Sequence, residues 1–204
     1  MKKPILYYVY DPMCSWCWGY RNTWLQLSDS LLDKVSIHYQ LGGLAADSNV
    51  EMPINLQQTL QGIWHKIHDQ LGTQFNFDFW SQCQPRRSTY PACRACLIAR
   101  EMHKEKEMLF AIQQAYYLQA KNPSLPETLI KLAGDIGLNI GEFEAKLNNN
   151  DINRKLEVEI GSSRQLPIQG FPSLVLEIDA QFIPIQIDYL NWTKTYTEVL
   201  THIN

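Results

Sequence analysis

The sequence has no long hydrophobic run, no cluster of basic residues and few cysteines, and each absence excludes a class of protein. The apolar run Ile5–Tyr10 is too short for a signal-peptide core or for a membrane span. Lys and Arg total 18 against 21 Asp and Glu, without a basic block, so non-specific nucleic-acid binding has little support. Because no export signal is visible, we expect a cytoplasmic protein that binds neither membrane nor nucleic acid.

The cysteine content points to chemistry rather than to a disulfide scaffold. Five cysteines in 204 residues are too few to build such a scaffold, and a chain of this length does not need one. Hydrophobic residues make up 45% of the chain and charged residues 19%, as in ordinary globular proteins. In a reducing compartment, paired cysteines more often indicate redox chemistry or metal binding than structural bridges.

The order of the predicted elements indicates an α/β fold. A buried strand over residues 5–10, a helix and a half-buried strand over 35–41 form a β-α-β unit with parallel strands. Strands over 173–178 and 182–187, followed by a closing helix, end the chain. Pro184 cannot donate to a neighbouring strand and therefore predicts an edge position for the last strand. Helical periodicity fills the middle.

Without its middle helices, this order is that of a thioredoxin-like fold with a four-stranded mixed sheet, β-α-β then α-β-β-α. We therefore predict this fold with a helical insertion between the second and third strands. The predicted domains are residues 1–48 and 151–204 for the thioredoxin-like domain and 49–150 for the inserted helical domain. Within the insertion, Ser124 and Glu127 are expected to form a capping box at a helix start.

The pair Cys14 and Cys17 lies just after the first predicted strand, at the start of the first helix. The free N–H groups and positive dipole end of a helix favour a thiolate, which is the species that attacks disulfides. We expect Cys14 to be the nucleophile and Cys17, one turn later, the resolving thiol. Trp16 offers an apolar surface to a substrate. Half of a zinc site and a structural disulfide are the alternatives for this pair.

A second feature of the predicted active site comes from far along the chain. Gly170, Phe171 and Pro172 lead directly into the third strand, on a loop that should face the dithiol. A cis peptide bond before Pro172 would expose the Phe171 backbone for strand-like pairing with a substrate. Phe171 and Pro172 are therefore predicted substrate-binding residues.

Residues 11–19 (DPMCSWCWG) and 170–173 (GFPS) together resemble the DsbA-like family of the thioredoxin superfamily. The resemblance is strongest to its cytoplasmic branch of predicted protein-disulfide isomerases related to FrnE, and it extends over nearly the whole chain. It implies a redox-active dithiol at Cys14 and Cys17 and a cis Pro172 that contacts substrate.

Two other functions remain open beside this resemblance. The glutathione transferase kappa and hydroxychromene-carboxylate isomerase group shares the fold but typically has serine where Cys14 stands. This chain has both cysteines, which argues against glutathione-dependent isomerisation or conjugation, although glutathione could still serve as a reductant. A zinc-binding module would use Cys14, Cys17, Cys93 and Cys96, although the gap between the two pairs is longer than in compact zinc modules.

Cys93 and Cys96 form a second Cys-x-x-Cys pair, in the first turn of a predicted helix that begins at Pro91. One interpretation is an accessory redox pair that exchanges with the first pair, helped by the positive charge of Arg94. The other is inward packing, because a free cysteine behaves as a small hydrophobic residue.

The expected activity is that of a disulfide reductase or isomerase. Its partners would be protein or small-molecule disulfides and thiols, and it would need neither metal nor organic cofactor. In a reducing cytosol the net direction should be reduction or isomerisation.

Overall fold

The computed structural model describes residues 3–203. Its strands are β1 (Ile5–Tyr10), β2 (Ser36–Leu41), β3 (Ser173–Ile178) and β4 (Gln181–Ile185). They form one sheet in the order β2-β1-β3-β4, in which β1 and β2 are parallel and the other two pairs are antiparallel. The predicted fold class is confirmed, and β4 with Pro184 lies at an edge of the sheet.

The helices fall into two groups by their place in the sequence. Helix α1 (Ser15–Leu31) joins the two parallel strands, and α9 (Trp192–Ile203) closes the chain. The helices between β2 and β3 are α2 (Ile54–Leu71), α3 (Phe79–Gln82), α4 (Tyr90–Glu101), α5 (Glu105–Leu118), α6 (Pro126–Asp135), α7 (Ile140–Leu147) and α8 (Asn150–Ser163). None of the helices described between residues 3 and 203 has the length and apolar character that crossing a membrane requires.

An aromatic core fixes α1 against the sheet. Tyr8 of β1 stacks on Trp24 of α1 with ring centroids 4.3 Å apart, and the Trp24 indole donates to the Tyr39 hydroxyl at 2.9 Å. Tyr10 stacks on Tyr8 at 5.5 Å, and the side chains of all four residues are buried. The helix that begins at the dithiol therefore rests on large, closely packed rings, which hold its first turn in place.

Helix α8 closes the outer edge of β2. The Leu41 N–H donates to Glu159 Oε1 at 2.7 Å, and Gln40 donates to the Ser163 hydroxyl at 3.0 Å. Arg100 of α4 binds Glu159 and Glu105, each at 2.6 Å. An edge strand is thereby covered by side chains, which removes free backbone groups that could pair with another chain.

Two local predictions are wrong, and one short helix was not predicted. Residue Ser124 does not cap a helix: its hydroxyl donates to the Ser88 carbonyl at 2.7 Å, and α6 starts after Leu125 without a side-chain cap. The last strand starts at Gln181, one residue earlier than predicted, because the hairpin turns at Asp179 and Ala180 alone, both with positive φ (49° and 64°); it ends at Ile185, two residues earlier than predicted. The short helix α3 has no counterpart in the prediction.

Candidate active site

Cys14 stands between β1 and α1 as the N-cap residue of the helix, with extended φ and ψ of −80° and 119°. Its backbone carbonyl accepts the first helical hydrogen bond from the Trp18 N–H at 3.1 Å. The side chain keeps 7% of its surface exposed, and its Sγ lies 3.4 Å from the Phe171 carbonyl oxygen. Cys14 is therefore largely buried against the loop that precedes β3, and it reaches solvent only through the cavity that it lines.

Cys17 is the third residue of α1 and has no exposed surface. Burial raises the pKa of its thiol well above the ordinary range, and the neighbouring Cys14 sulfur raises it further. The Asp11 backbone partly offsets this shift through a hydrogen bond to the Cys17 sulfur. Cys17 therefore stays protonated and inaccessible in the reduced protein.

The peptide bond between Phe171 and Pro172 is cis. Beneath this loop, a Cβ added to Gly42 would lie 2.0 Å from the nearest ring atom of Phe171. Real Cβ atoms do not approach other atoms this closely, so only glycine fits at position 42. Gly42 directly follows β2, and nothing in the local sequence pattern indicates that it makes room for Phe171.

Asp11 is a fully buried carboxylate three residues before Cys14, and its role was not predicted either. It accepts hydrogen bonds from the Met13 N–H (2.8 Å), the Leu44 N–H (2.7 Å) and the Thr89 hydroxyl (2.6 Å). Burial raises the pKa of Asp11, and these hydrogen bonds partly offset the shift. The carboxylate ties the active-site turn to the loop after β2 and to the start of α4.

The two tryptophans beside the dithiol have different surroundings. Trp18 stacks on Tyr117 with centroids 5.7 Å apart, and its indole donates to the Gln74 carbonyl at 3.0 Å. Tyr117 in turn donates to the Met13 carbonyl at 2.7 Å. Trp16 makes an edge contact with Tyr189 at 5.3 Å and lines a cavity beside Cys14. Trp18 thus supports the active-site turn from within, and Trp16 faces the cavity.

The cavity next to Cys14 has a volume of about 290 Å³. Trp16 and Phe171 line it beside the thiol, together with apolar residues from α2 and from the loop after β2. Two arginines, Arg86 and Arg87, are also among its lining residues. The cavity therefore combines a thiol, an apolar wall and positive charge.

The second cysteine pair lies inside α4, where neither thiol has exposed surface. The Cys93 Sγ lies 3.5 Å from Asp11 Oδ2. Burial raises the pKa of both Cys93 and Cys96 well above the ordinary thiol range, and a nearby carboxylate adds to each shift. Within residues 3–203, no three His, Cys, Asp or Glu side chains are grouped so that they could hold a metal ion.

Comparison with known proteins shows the family of the chain. The family model described as DSBA-like thioredoxin domain matches residues 5–188. The chain belongs to this family. Two curated relatives, the ClpXP adapter proteins SpxH of Bacillus subtilis and Halalkalibacterium halodurans, are 24% and 21% identical over 182 and 181 residues. These matches cover 85% of this chain but only 58% and 59% of the relatives, so the chain spans less than two thirds of their length.

Solved structures of DsbA-like proteins share the fold over nearly their whole length. A candidate protein disulfide isomerase of Nitrosomonas europaea is 26% identical with a TM-score of 0.85, and the match covers 98% of this chain and 97% of that one. The cytosolic disulfide reductase DsbM of Pseudomonas aeruginosa is 23% identical with a TM-score of 0.76, covering 97% and 98%. The same reductase has also been solved with GSH (20% identity, TM-score 0.74, covering 97% and 98%).

Proposed function

We propose that this member of the DsbA-like family is a thiol–disulfide oxidoreductase in which Cys14 is the nucleophile and Cys17 the resolving thiol. The observation that carries the proposal is the unequal placement of the two sulfurs. Cys14 lines the cavity against the Phe171 carbonyl and keeps 7% of its surface exposed, whereas Cys17 has no exposed surface and does not line the cavity. An incoming disulfide therefore meets Cys14 first.

The reaction would proceed in two exchanges. The Cys14 thiolate attacks one sulfur of a substrate disulfide, which forms a mixed disulfide and releases the other substrate sulfur as a thiolate. Cys17 then loses its proton and attacks the Cys14 sulfur, which forms the Cys14–Cys17 disulfide and releases the second substrate sulfur. Two electrons pass from the protein to the substrate, and each released thiolate takes up a proton.

The raised pKa of Cys17 suits this order of events. A resolving thiol that stays protonated in the reduced protein does not compete for the first attack. Trp16, Phe171 and Pro172 are proposed substrate contacts. Trp16 and Phe171 line the cavity beside Cys14, the peptide bond before Pro172 is cis, and the Phe171 carbonyl oxygen lies 3.4 Å from the Cys14 sulfur.

The proposed direction is reduction or isomerisation in the cytoplasm, with no metal or organic cofactor. Regeneration of the dithiol would need two equivalents of a thiol, and glutathione is the proposed reductant. The existence of a DsbM structure with GSH makes glutathione the first thiol to try. An accessory redox role for Cys93 and Cys96 is a separate proposal, and it requires α4 to open, because both thiols are fully buried.

The test is reduction of insulin disulfides by the pre-reduced protein, with glutathione and glutathione reductase supplying electrons. Wild-type protein should turn over, Cys14→Ser should be inactive, and Cys17→Ser should stop at a mixed disulfide. Activity that survives in Cys14→Ser would contradict the proposal, as would a wild-type protein that does not exchange with glutathione disulfide.

The same variants separate the alternative functions. A glutathione-dependent isomerase or transferase would keep its activity on a small electrophile in Cys17→Ser. A zinc module built on Cys14, Cys17, Cys93 and Cys96 would carry stoichiometric metal after purification and would unfold on chelation.

A further inference from the structure

The active-site cavity carries positive charge that nothing in the proposed exchange reaction uses. Arg86 and Arg87 line it beside Cys14, and no acidic side chain is among the lining residues. Within the part of the chain that the structure describes, neither guanidinium has a carboxylate oxygen within 4.0 Å. The protein as a whole has a net charge of −3, so the charge of these two arginines beside Cys14 is opposite in sign to that of the protein.

The segment that carries these arginines is held in place at both ends. The Met52 N–H donates to the Pro85 carbonyl at 2.8 Å, and the Thr89 N–H donates to the Ala45 carbonyl at 2.9 Å. Between them, the Ser88 carbonyl accepts from the Ser124 hydroxyl at 2.7 Å. The backbone that positions the two guanidinium groups is therefore fixed, which lowers the entropy lost when they bind a ligand.

The surrounding charges leave the arginines available to a ligand. The backbones of Glu51 and Arg86 form an isolated β-bridge. The Glu51 carboxylate, however, accepts a hydrogen bond from the Gln84 side chain at 3.2 Å and not from Arg86. Asp11, the buried acid behind the cavity wall, is occupied by Thr89 and by two backbone N–H groups. Burial raises the pKa of the Tyr116 hydroxyl, another lining group, and the charge of Arg87 partly offsets that shift.

We propose that the cavity selects small disulfides that carry carboxylates, with Arg86 and Arg87 as the groups that bind those carboxylates. Guanidinium groups bind carboxylates through charge-assisted hydrogen bonds, often two at a time. The apolar wall formed by Trp16 and Phe171 would cover the carbon chain of the same ligand. A volume of about 290 Å³ is close to the lower end of small-molecule sites, roughly 300–1,000 Å³. It fits one half of a small disulfide rather than a folded protein.

This inference rests on the proposed exchange reaction and concerns which substrate that reaction prefers. In the first step, Cys14 forms a bond to one sulfur of the acidic disulfide, and the second half leaves as a thiolate that takes up a proton. The arginines take no part in bond making. They raise the occupancy of the cavity by the acidic substrate and hold its disulfide beside Cys14.

The test is the rate at which fully reduced protein is oxidised by two disulfides, glutathione disulfide and the neutral hydroxyethyl disulfide. The measured quantity is the ratio of the two rate constants under single-turnover conditions. The double variant Arg86→Gln/Arg87→Gln should lower this ratio about tenfold, because it removes charge-assisted contacts to the acidic substrate alone. Raising the ionic strength should lower the wild-type ratio in the same direction.

Arg94→Gln is the matched control, because Arg94 is paired with Asp47 at 2.7 Å and is absent from the cavity lining. Its ratio should equal that of the wild type. An unchanged ratio in the double variant would overturn the inference. The inference would also be overturned if the double variant lost more rate with an oxidised peptide that has acidic residues beside its cysteines than with glutathione disulfide. That result would assign the arginines to protein substrates. Failure of the exchange reaction itself would appear differently, as no oxidation of wild-type protein by either disulfide.

Discussion

The Cys93 thiol lies 3.5 Å from the Asp11 carboxylate, so the second cysteine pair touches the active-site turn through a hydrogen bond. Asp11 also accepts from Thr89, which stands at the start of the same helix. Helix α4 of the inserted region therefore helps to hold the turn that carries Cys14. This contact gives Cys93 a role in packing and hydrogen bonding that does not require it to change oxidation state.

Replacement of Cys93 should separate a role in packing and hydrogen bonding from an accessory redox role. Cys93→Ala removes one donor to a buried carboxylate and should lower the free energy of unfolding by about 1–3 kcal/mol. Urea unfolding of the reduced protein measures this change. The rate of exchange with glutathione disulfide should change little. A Cys93–Cys96 disulfide found by peptide mapping of the oxidised protein would instead support the accessory redox role.

Gly42→Ala should disturb the loop that carries Phe171, because the new methyl group would lie 2.0 Å from the aromatic ring. The ring and its carbonyl must move away from Cys14, so we expect slower disulfide exchange and a loss of roughly 1–3 kcal/mol of stability. Gly62→Ala is the control. Gly62 lies within α2, and an added Cβ there meets no atom within 4 Å.

Gly62→Ala should stabilise the protein by about 0.5–1 kcal/mol through helix propensity, without altering exchange. Thermal unfolding and a glutathione disulfide assay on both variants would check the pair. If Gly42→Ala proved as stable and active as the wild type, the close packing of Phe171 over the end of β2 would be wrong.

Arg100 joins Glu105 of α5 and Glu159 of α8, and the side chains of the two carboxylates are 12% and 13% exposed. Arg100→Met would leave two poorly solvated negative charges close together. We expect it to cost about 2–4 kcal/mol in the free energy of unfolding. The control is Arg154→Gln at an exposed ion pair with Asp151, for which the expected cost is below about 1 kcal/mol. Equal small losses in both variants would contradict this account of how α8 is held on the sheet.

The alkylation of Cys17 should depend steeply on pH. Burial raises the pKa of this thiol well above its usual value, so its reactive thiolate is scarce at neutral pH. In Cys14→Ser, the rate of Cys17 alkylation by iodoacetamide should therefore rise about tenfold per pH unit up to pH 9. Free glutathione, measured in parallel, should level off earlier. A plateau for Cys17 below pH 8 would contradict the raised pKa.

The same shift has a consequence for stability. A thiol whose folded pKa is raised binds its proton more tightly in the native state than in the unfolded chain. Its contribution to stability is therefore complete below the ordinary thiol pKa and is lost as the pH rises toward the folded value. Cys17, Cys93 and Cys96 all share this direction, so the free energy of unfolding of the reduced protein should decline under alkaline conditions.

The parts of the site that local sequence could predict are those encoded within a few residues. Cys14 and Cys17 follow a strand and begin a helix, and both boundaries are visible in the apolar pattern. The hydrogen bond between Asp11 and Thr89 joins residues 78 positions apart, and no periodicity signals such a contact. The Asp-Pro step before the cysteines favours a turn, and residues 12–13 form one, but a turn pattern does not indicate that the Asp11 carboxylate is buried.

The wrong prediction of a capping box at Ser124 has the same cause, which is a hydrogen-bond partner distant in the sequence. Ser124 lies at a sequence position typical of a cap, but its hydroxyl binds the Ser88 carbonyl of a distant segment. Tertiary packing supplied a better partner than the local helix end. The role of Gly42 was likewise invisible, since the Phe171 ring that requires it comes from a loop more than a hundred residues later.

The most direct test of the central claim is to trap the first intermediate. Cys17→Ser protein, treated with glutathione disulfide under native conditions, should gain one glutathionyl group, and peptide mass spectrometry should locate it on Cys14. The double variant Cys14→Ser/Cys17→Ser should gain none, although Cys83, Cys93 and Cys96 are still present. No adduct on Cys14, or an adduct found only on one of those three cysteines, would contradict the assignment of Cys14 as the nucleophile.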